Sequence, residues 1–562
     1  MKVLLCSLNA KYIHSSLAPW CLLAGLEAYA DSAVKAEVIE GTVNQPVEVI
    51  AGRLLEAAPD VVGFSCTIWN IQSVKRLIVS LKAACPQTVV VLGGPEATFR
   101  AEELLSGWPE VSYINAGEGE RPFAQLVNAL LHGENPVGIP GLCYRRGTQL
   151  VVSPPYVSTE DPPSPYTARY FAALGGRIAY LETSRGCPFS CAFCLSGRGE
   201  SVRFFNLERA KADILRLAAS GTRTIKLVDR TFNCCPARTH ALLSFILEHA
   251  GREISEGVCF HLEVAADLFD KEGLALLKAA PPGLFQVEAG LQSFHTPTLE
   301  AVTRRTNLAR LYGNLEKLLE PGNVHVHIDL IAGLPYEDLE TFAVSFDKAF
   351  DLRPHMLQLG FLKLLHGSRL RREAADWGTR FNPEPPYEIV EGRWLTGEDI
   401  IGLHWTEDAL ERLYNSGRFR LTVEYLLKAL SLRPFRLFQT IGEAIAARGG
   451  VEGISLDAYT ALLWEIVSGM KGVNPAVLRD ALVCDSLRSR RGGQLPACLY
   501  QADRRLPRLS RVLAAVSGEK GIKRGVALLE SRPGLAAVAP YTHPDPVTGW
   551  YPLQFICLEE YI

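Results

Sequence analysis

The sequence predicts an α/β protein: an N-terminal doubly wound parallel sheet, a central partial (β/α)6 barrel and a mainly α-helical C-terminal domain. Short apolar runs alternate with helix-period segments over residues 1–135 and again over residues 171–375. Such alternation is typical of parallel strands covered by helices. It stops near residue 376, and helix-period segments dominate residues 376–562. Between the two alternating regions, residues 136–170 are predicted to be a Pro-rich linker.

Composition bounds the class of protein. The chain of 562 residues has a formal net charge of −3, which gives no general attraction to nucleic acid. Its 14 cysteines are scattered apart from one loop and one adjacent pair, a distribution that favours a reducing compartment over a disulfide scaffold. No apolar run of about 18 residues occurs in the sequence, so no membrane-spanning helix is expected. We therefore expect a cytoplasmic protein that contacts neither a membrane nor nucleic acid.

Four apolar runs in the first region predict buried parallel strands, at residues 3–5, 61–64, 89–92 and 111–114. Helical periodicity marks residues 17–29, 47–57, 71–84 and 123–131. Parallel sheets of this kind bind ligands at the carboxyl ends of their strands. Candidate contacts at three strand ends are Ser65, Thr67, Gly93, Gly94, Pro95, Gly117, Glu118 and Gly119. Glycine lets a ligand approach the backbone closely, although ordinary turns of such a sheet also need glycine.

The central region contains six further strand candidates, at residues 178–181, 224–228, 258–264, 284–289, 324–331 and 356–362. Helical segments between them cover residues 207–219, 238–248, 271–279, 308–319 and 338–350. In barrels of this type the active site lies at the carboxyl ends of the strands. Polar residues in or after these strands are Asp229, Glu263, Glu288, Gln292 and Asp329. A carboxylate within an apolar strand is costly unless it is paired or binds a ligand, and an ion pair with Arg304 or Arg305 is the structural alternative.

Three cysteines follow the first central strand with C-x3-C-x2-C spacing: Cys187, Cys191 and Cys194. Each iron of a 4Fe–4S cluster needs a terminal ligand, normally a cysteine thiolate. Three cysteines therefore leave one iron open to a small chelating molecule such as S-adenosylmethionine. A zinc site would require four ligands, usually in two pairs, and the sequence has no second pair nearby. The spacing thus predicts a 4Fe–4S site.

At this loop the sequence resembles the radical S-adenosylmethionine superfamily, whose motif has an aromatic residue at the position of Phe193. Residues 290–294 and 328–335 are similar to S-adenosylmethionine-binding strand ends of its elongator/coproporphyrinogen-oxidase-like branch. The resemblance implies the following S-adenosylmethionine contacts: Gln292 and Asp329 to the ribose hydroxyls, Glu263 to the ribose or amino group, Arg304 or Arg305 to the carboxylate, and Phe193 and Glu288 in the same site. Asp229 stands where the family uses a Gly-Gly-Glu segment near the amino group, so its role there departs from the pattern.

The first region, with its Gly-Gly-Pro and Gly-Glu-Gly-Glu segments, resembles the flavodoxin-like cobalamin-binding domain of one subfamily. This implies that the eight strand-end residues enclose the corrin tail. A D-x-H-x-x-G motif is missing from the sequence, so this domain would supply no lower histidine ligand to cobalt. The C-terminal region is similar to a helical extension of undefined function found on some of these proteins.

The resemblance implies an oxygen-sensitive enzyme that cleaves S-adenosylmethionine reductively and uses methylcobalamin to methylate an unactivated carbon. A small-molecule or peptide substrate and a flavodoxin- or ferredoxin-type electron donor are expected. Cyclisation, ring contraction or rearrangement without methyl transfer is the first alternative. Methylthio transfer is the second, although Cys6, Cys21, Cys66 and Cys85 have apolar neighbours rather than the pattern of a second cluster site. A non-catalytic cobalamin sensor is the third.

The adjacent pair Cys234 and Cys235 follows the second central strand. The two thiols are candidates for a catalytic role, as a thiol donor to the substrate or as an upper neighbour of cobalt. Cysteine in an apolar context more often serves packing alone. The sequence leaves both interpretations open.

Overall fold

The computed structural model describes residues 1–197, 201–492, 494–500, 503–516 and 523–560. The chain divides into two compact units. The first consists of Met1–Leu262, Lys363–Ala374 and Phe381–Glu388, and the second of Glu263–Leu362, Ala375–Arg380 and Ile389–Ile562. Among the helices that these ranges contain, none combines the length and the apolar character that crossing a bilayer requires.

The first unit begins with an alternation of strands and helices. Its elements are β1 Lys2–Asn9, α1 Ala18–Tyr29, β2 Lys35–Thr42, α2 Val47–Ala57, β3 Val61–Ser65, α3 Ile71–Ala84, β4 Val89–Gly93, α4 Pro95–Phe99, α5 Ala101–Gly107, β5 Tyr113–Asn115, α6 Glu120–His132, β6 Leu142–Arg146 and β7 Gln149–Val151. These strands form one sheet in the order β2-β1-β3-β4-β5-β6-β7. Strands β1 to β5 are parallel, and β6 and β7 are antiparallel. The predicted doubly wound sheet is confirmed.

Two parts of this sheet are not predicted by the pattern of apolar runs in the sequence. Strand β2 lies at the edge and buries few of its residues, so it forms no apolar run. Strands β6 and β7 fall within residues 136–170, which the sequence predicts to be a linker. Strand β6 pairs with β5, where Ile114 lies opposite Cys143, and β7 pairs with β6. The pairing with β5 joins distant residues, which local composition does not encode.

The second region continues with α7 Ala168–Leu174, β8 Ala179–Leu181, β9 Ser184–Arg185, β10 Arg203–Phe204, α8 Leu207–Ala218, β11 Thr224–Leu227, α9 Pro236–His249, β12 Cys259–Val264, α10 Lys271–Lys278, β13 Phe285–Gln292, α11 Thr296–Ala301, α12 Leu308–Leu319, β14 His325–Ala332, α13 Leu339–Asp351, β15 Met356–Phe361 and α14 Arg369–Arg372. Strand β11 pairs in parallel with β8 and β12 in the first unit. Strand β14 pairs in parallel with β13 and β15 in the second unit. All six predicted strands are present.

The C-terminal region is mainly helical, as predicted. It contains β16 Arg380–Phe381, β17 Ile389–Glu391, α15 Gly397–Leu410, α16 Arg420–Leu430, α17 Pro434–Ala446, α18 Leu456–Val467, α19 Pro475–Ser489, α20 Arg505–Val516, β18 Arg524–Leu528, β19 Leu535–Pro540 and β20 Gln554–Cys557. The last three strands form an antiparallel sheet. Helix α15 begins with a reciprocal cap between Thr396 and Asp399, which satisfies backbone N–H groups that a helix start leaves unpaired.

Candidate cofactor sites

A cavity of about 370 Å³ opens at the carboxyl edge of the first sheet. Most of its wall is apolar and includes Leu22, Phe64 and Phe123. Six of the eight strand-end residues predicted from the sequence line this cavity: Ser65, Gly93, Gly94, Gly117, Glu118 and Gly119. Thr67 and Pro95 do not line it. The Thr67 N–H donates to Asn70 at 2.8 Å, and Pro95 is the first residue of α4.

Two glycines of the cavity wall have backbones that only glycine adopts easily. Gly94 has φ +90° and Gly117 has φ +89°, in the left-handed region that disfavours other residues. A Cβ on Gly94 would lie 2.6 Å from the Cys66 carbonyl oxygen, and one on Gly117 would collide with the Tyr156 carbonyl oxygen. The two strand ends therefore present bare backbone beside the cavity.

One polar side chain of the cavity wall has an unused acceptor. Asn115, at the end of β5, is 4% exposed. Its Nδ2 donates to the Glu118 carbonyl oxygen at 3.4 Å, whereas its Oδ1 is buried with no donor among the described residues. A buried polar atom of this kind indicates a missing partner. Together with the apolar wall and the bare glycines, it makes the cavity fit an apolar ligand with a few polar groups, such as the tail of a corrin.

An ionic network borders the same cavity and was missed at the sequence level. Arg185 contacts Glu118 Oε2 at 2.7 Å, Glu120 Oε1 at 2.6 Å and Glu182 Oε2 at 2.8 Å. Arg203 contacts Glu118 Oε2 at 2.7 Å. Burial would raise the pKa of Glu120, but the Arg185 guanidinium holds it below the ordinary value. Arg185 precedes the first cysteine of the loop by two residues, which is the signal that the sequence offered.

The cysteine loop is held by contacts from several elements of the first unit. Cys187 and Cys191 are buried and Cys194 is half-buried. The Thr231 hydroxyl lies 3.4 Å from Cys187 Sγ, and the Ser196 N–H donates to Cys194 Sγ at 3.4 Å. Hydrogen bonds to sulfur are among the features that tune iron–sulfur clusters. Three thiols on one short loop, two of them with such neighbours, fit a 4Fe–4S cluster with one open iron.

The predicted residue Phe193 lies in this loop, half-buried. The adjoining Ala192 carbonyl oxygen accepts from the Leu370 N–H at 3.0 Å. Leu370 belongs to α14, a part of the first unit that is separated in sequence from Met1–Leu262 by residues of the second unit. This segment therefore fixes the middle of the cysteine loop.

Asp229 is buried, 1% exposed, and is occupied by protein donors. Its carboxylate accepts from the N–H of Thr183 at 2.9 Å and of Ser184 at 2.5 Å, and from both hydroxyls at 2.8 Å. Burial raises the pKa of Asp229 to about 6, and these hydrogen bonds oppose the rise. Asp229 thus clamps the segment that leads into the cysteine loop, and its contact with S-adenosylmethionine stays a prediction.

In the second unit, strands β13 and β14 bring predicted residues together. Glu288 pairs in register with His327, and Gly290 pairs with Asp329. His327 Nε2 lies 2.9 Å from Asp329 Oδ1, and ligand atoms of Glu288, His327 and Asp329 all lie within 4.8 Å of one another. His327 was not among the predicted site residues.

The end of β13 is irregular at Gln292. A register shift separates Gly290 from Gln292, and Gln292 has φ +73°, which is uncommon for a residue with a side chain. Gln292 Oε1 is buried with no donor among the described residues. Strained backbone and unpaired polar atoms both occur at binding sites. Arg304 Nη2 donates to the carbonyl oxygen of Gly290.

Glu263, the fifth residue of β12, is half-buried. It follows His261 by two residues, as the predicted alternation requires, and His261 is buried. Its assignment to the ribose or amino group of S-adenosylmethionine stays a prediction, as do the roles of Glu288, Gln292, Arg304 and Asp329.

The cysteine pair lies in the turn between β11 and α9. Cys234 and Cys235 are half-buried, and the Cys234 N–H donates to the Thr231 carbonyl oxygen at 3.1 Å. Burial, followed by the thiols of Cys235 and Cys187, raises the pKa of Cys234 to about 11. Cys234 is therefore a protonated thiol near neutral pH rather than a thiolate nucleophile. The catalytic role of both residues stays a prediction.

Three family models match successive parts of the chain. Residues 5–127 match the B12 binding domain, and residues 181–349 match the Radical SAM superfamily. Residues 375–514 match a model described as a protein of unknown function, DUF4080. The first match contains most of the glycine-lined cavity, and the second contains the cysteine loop together with β13 and β14.

Curated proteins are similar to parts of this chain. The cobalamin-dependent radical SAM methyltransferase TokK of Streptomyces tokunonensis is 28% identical over 340 residues, 56% of this chain and 49% of that protein. The anaerobic magnesium-protoporphyrin IX monomethyl ester cyclase of Cereibacter sphaeroides is 25% identical over 415 residues, 69% of this chain and 63% of that protein. The chain thus spans only about half the length of TokK.

The fold is similar to that of TsrM from Kitasatospora setae, a radical S-adenosylmethionine methyltransferase solved with cobalamin and a 4Fe–4S cluster bound. The TM-score is 0.58 at 19% identity, and the match covers 69% of this chain and 81% of that chain. At this identity the likeness concerns the fold, and it confirms the predicted fold class.

The domain matches agree with the residues that form the two sites in the first unit. Cobalamin, S-adenosylmethionine and a 4Fe–4S cluster are accordingly the cofactors of this enzyme. The chain carries a B12 binding domain and a Radical SAM domain, followed by a region that matches a family of unknown function.

Proposed function

We propose that this enzyme transfers a methyl group to an unactivated carbon of a small-molecule or peptide substrate. The observation that carries the proposal is the presence, in one compact unit, of a glycine-lined cavity and a three-cysteine loop. The choice of methyl transfer is supported by the 28% identity to TokK, a protein named as a methyltransferase.

The chain's part in the reaction is to bind and orient its cofactors. The 4Fe–4S cluster supplies the electron for cleavage of S-adenosylmethionine, and cobalamin supplies the methyl group. Cys187, Cys191 and Cys194 would hold three irons. Asn115 Oδ1 would accept a hydrogen bond from the corrin tail in the cavity.

On the S-adenosylmethionine side, Gln292 and Asp329 would accept hydrogen bonds from the ribose hydroxyls, the role that the sequence resemblance implies. Gln292 Oε1 is a buried acceptor in need of a donor. An electron donor of the flavodoxin or ferredoxin type would reduce the enzyme. The domain boundaries that the sequence predicts, at residues 135, 170 and 375, are part of the same proposal.

Methyl-labelled S-adenosylmethionine tests the proposal without knowledge of the substrate. Anaerobically reconstituted protein is first counted for iron, sulfide and cobalt. It is then incubated with S-adenosylmethionine that carries a trideuterated methyl group and a reductant, and cobalamin is analysed by mass. We expect labelled methylcobalamin together with 5′-deoxyadenosine. Formation of 5′-deoxyadenosine with no label on cobalamin would overturn methyl transfer.

A matched pair of cysteine variants controls the same assay. Cys187→Ala removes a proposed cluster ligand, so iron content and 5′-deoxyadenosine should fall to background. Cys85→Ala removes a half-buried cysteine outside the loop, and both quantities should stay at the level of the unaltered protein. Equal losses in the two variants would contradict the assignment of the cluster ligands.

Cyclisation without methyl transfer is the second candidate. The observation in its favour is the 25% identity to a protein named as a cyclase, over 69% of this chain. It predicts cleavage of S-adenosylmethionine with unlabelled cobalamin and a product that gains no CH2. The label experiment therefore separates the two candidates.

Methylthio transfer has less support, because it requires a second cluster site. Cys6, Cys21 and Cys66 are buried in β1, in α1 and just after β3, respectively. Burial raises the pKa of the Cys6 thiol to about 12, which opposes the thiolate form that binds iron. A cobalamin sensor is also disfavoured, since a sensor needs no cluster loop.

A further inference from the structure

The ionic network at the cobalamin cavity joins two parts of the first unit. Glu118 and Glu120 belong to the end of β5 and the start of α6, in the B12 binding domain. Glu182 and Arg185 belong to the segment between β8 and the cysteine loop, in the Radical SAM domain. Glu118, Glu120, Glu182 and Arg185 all line the cavity. One wall of the cavity is therefore built from residues of the neighbouring domain.

The network contains two like charges that Glu118 bridges. Strands β9 and β10 are antiparallel, and Arg203 lies directly opposite Arg185 in their ladder. Two like charges in this position repel each other. Glu118 Oε2 lies 2.7 Å from both guanidinium groups, so a residue of the B12 binding domain stabilises the strand pair that encloses the cysteine loop.

The Arg185 side chain donates hydrogen bonds to all three carboxylates of the network. Its Nε donates to Glu182 Oε1 at 2.9 Å, its Nη1 to Glu118 Oε2 at 2.7 Å and its Nη2 to Glu120 Oε1 at 2.6 Å. Its side chain is 18% exposed. Without Arg185, three partly buried carboxylates would face one remaining arginine, and uncompensated buried charge is strongly destabilising.

The backbone of Arg185 belongs to the cluster site. Gly186 follows it with φ +100°, and Cys187 comes next. A cluster held by Cys187 would restrict the position of that residue, and hence the position from which the Arg185 side chain starts. Loss of the cluster would release this restraint on the wall of the cavity.

We propose that Arg185 is a positioning residue shared by the two cofactor sites, through which assembly of the cluster tightens the binding of cobalamin. The inference rests on the proposed use of both cofactors. Because binding free energies are linked, bound cobalamin must tighten the binding of the cluster by the same factor.

The test measures the dissociation constant of hydroxocobalamin by equilibrium dialysis, with and without the reconstituted cluster. In the unaltered protein we expect the cluster to tighten cobalamin about tenfold, which corresponds to about 1.4 kcal/mol. In Arg185→Met we expect less than about a twofold effect, and Arg185→Lys should restore part of it because the positive charge is kept. A merely structural role would weaken cobalamin equally with and without the cluster, and would overturn the proposal.

Arg209→Met is the matched control. The Arg209 guanidinium lies 5.6 Å from the Phe205 ring, much as that of Arg185 lies 5.7 Å from it. Arg209 pairs with Asp213 instead of the cavity carboxylates, so its variant should keep the full cluster effect. Loss of the effect in Arg209→Met would also overturn the proposal.

A second variant changes a residue of the network that lies in the B12 binding domain. Glu118→Gln removes the charge between Arg185 and Arg203 and should likewise reduce the cluster effect. The reciprocal measurement is the concentration of a chelator that removes half of the iron at equilibrium, which cobalamin should raise in the unaltered protein and not in Arg185→Met. If the unaltered protein binds cluster and cobalamin with no mutual effect, this inference fails while the proposed function stands. If it binds neither, the proposed function fails first.

Discussion

The cavity at the first sheet and the strand ends of β13 and β14 differ in the chemical groups that they offer to a ligand. Around the cavity, the charged groups neutralise one another, and the wall left for a ligand is apolar and glycine-rich. At the strand ends, a carboxylate beside a histidine and a buried amide oxygen face inward. The first site selects by shape and the second by polar atoms, because an apolar ligand cannot satisfy buried polar groups.

The largest effect should come from distorting a glycine strand end that lines the cavity. Gly117→Val adds a branched side chain where φ is +89° and where even a Cβ would meet the Tyr156 carbonyl oxygen. We expect cobalt content to fall at least about tenfold while iron content stays unchanged, since destabilising strain of about 1–3 kcal/mol is stored at one loop. Metal analysis of purified protein measures both. Gly107→Ala, which has open space around it, is the control, and an equal cobalt loss there would refute the shape argument.

The clamp on the cysteine loop should give the next largest effect. Asp229→Asn replaces one carboxylate oxygen by an amide that cannot accept hydrogen bonds. Because four donors point at Asp229, we expect a loss of about 2–3 kcal/mol in the free energy of unfolding.

Chemical denaturation of Asp229→Asn, followed by circular dichroism, measures that loss. Binding of S-adenosylmethionine to the folded variant is the second measurement. A variant of unchanged stability with weakened S-adenosylmethionine binding would instead favour the ligand role predicted from the sequence.

The polar strand end should show a smaller effect confined to one ligand. Gln292→Leu removes the buried acceptor Oε1, and we expect about a tenfold weaker affinity for S-adenosylmethionine, or about 1.4 kcal/mol. The change that S-adenosylmethionine causes in the electron paramagnetic resonance of the reduced cluster follows the titration. Gln286→Leu, six residues earlier in β13, should leave the affinity unchanged.

The smallest effect concerns Glu337, which follows β14 and is 1% exposed. Burial raises the pKa of Glu337 to about 7, although the Ser293 and Ser345 hydroxyls oppose the rise. The folded protein therefore holds this proton more tightly than the unfolded chain does. The ionised carboxylate costs stability increasingly as pH rises from about 4.5 through about 7.

The side chain of Glu337→Gln does not ionise in this pH range. The free energy of unfolding of the variant, relative to that of the unaltered protein, should therefore increase by about 1 kcal/mol between pH 5.5 and pH 8. Its relative melting temperature should rise accordingly. Thermal melting at several pH values checks this. Parallel pH profiles of the two proteins would show that Glu337 keeps an ordinary pKa in the folded state.

Much of this enzyme could be predicted from local pattern. The strands β1, β3 and β4 are buried on both faces and form apolar runs, so they stand out in the sequence. The edge strand β2 does not, because only part of it is buried. The cysteine spacing is likewise local, since one loop supplies all three ligands. Six of the eight predicted cavity residues line the cavity because strand ends are recognisable from sequence.

Other features depend on contacts between distant residues. Glu118 and Arg185 are ordinary charged residues in sequence, and only the folded chain brings them to 2.7 Å. Asp229 was assigned to a ligand from its position after a strand, whereas the fold directs Thr183 and Ser184 at it. Asn115 gains its significance from burial of its Oδ1 beside the cavity.

By itself, the amino-acid sequence determined the α/β class, the order of the domains and the three-cysteine loop, because hydrophobic periodicity and ligand spacing are properties of neighbouring residues. Only the tertiary structure decided which charges neutralise one another, which polar atoms lack partners and where the cavity lies. These depend on side chains from separate segments meeting in a medium of low dielectric constant, where each pairing or its absence has a large energetic effect.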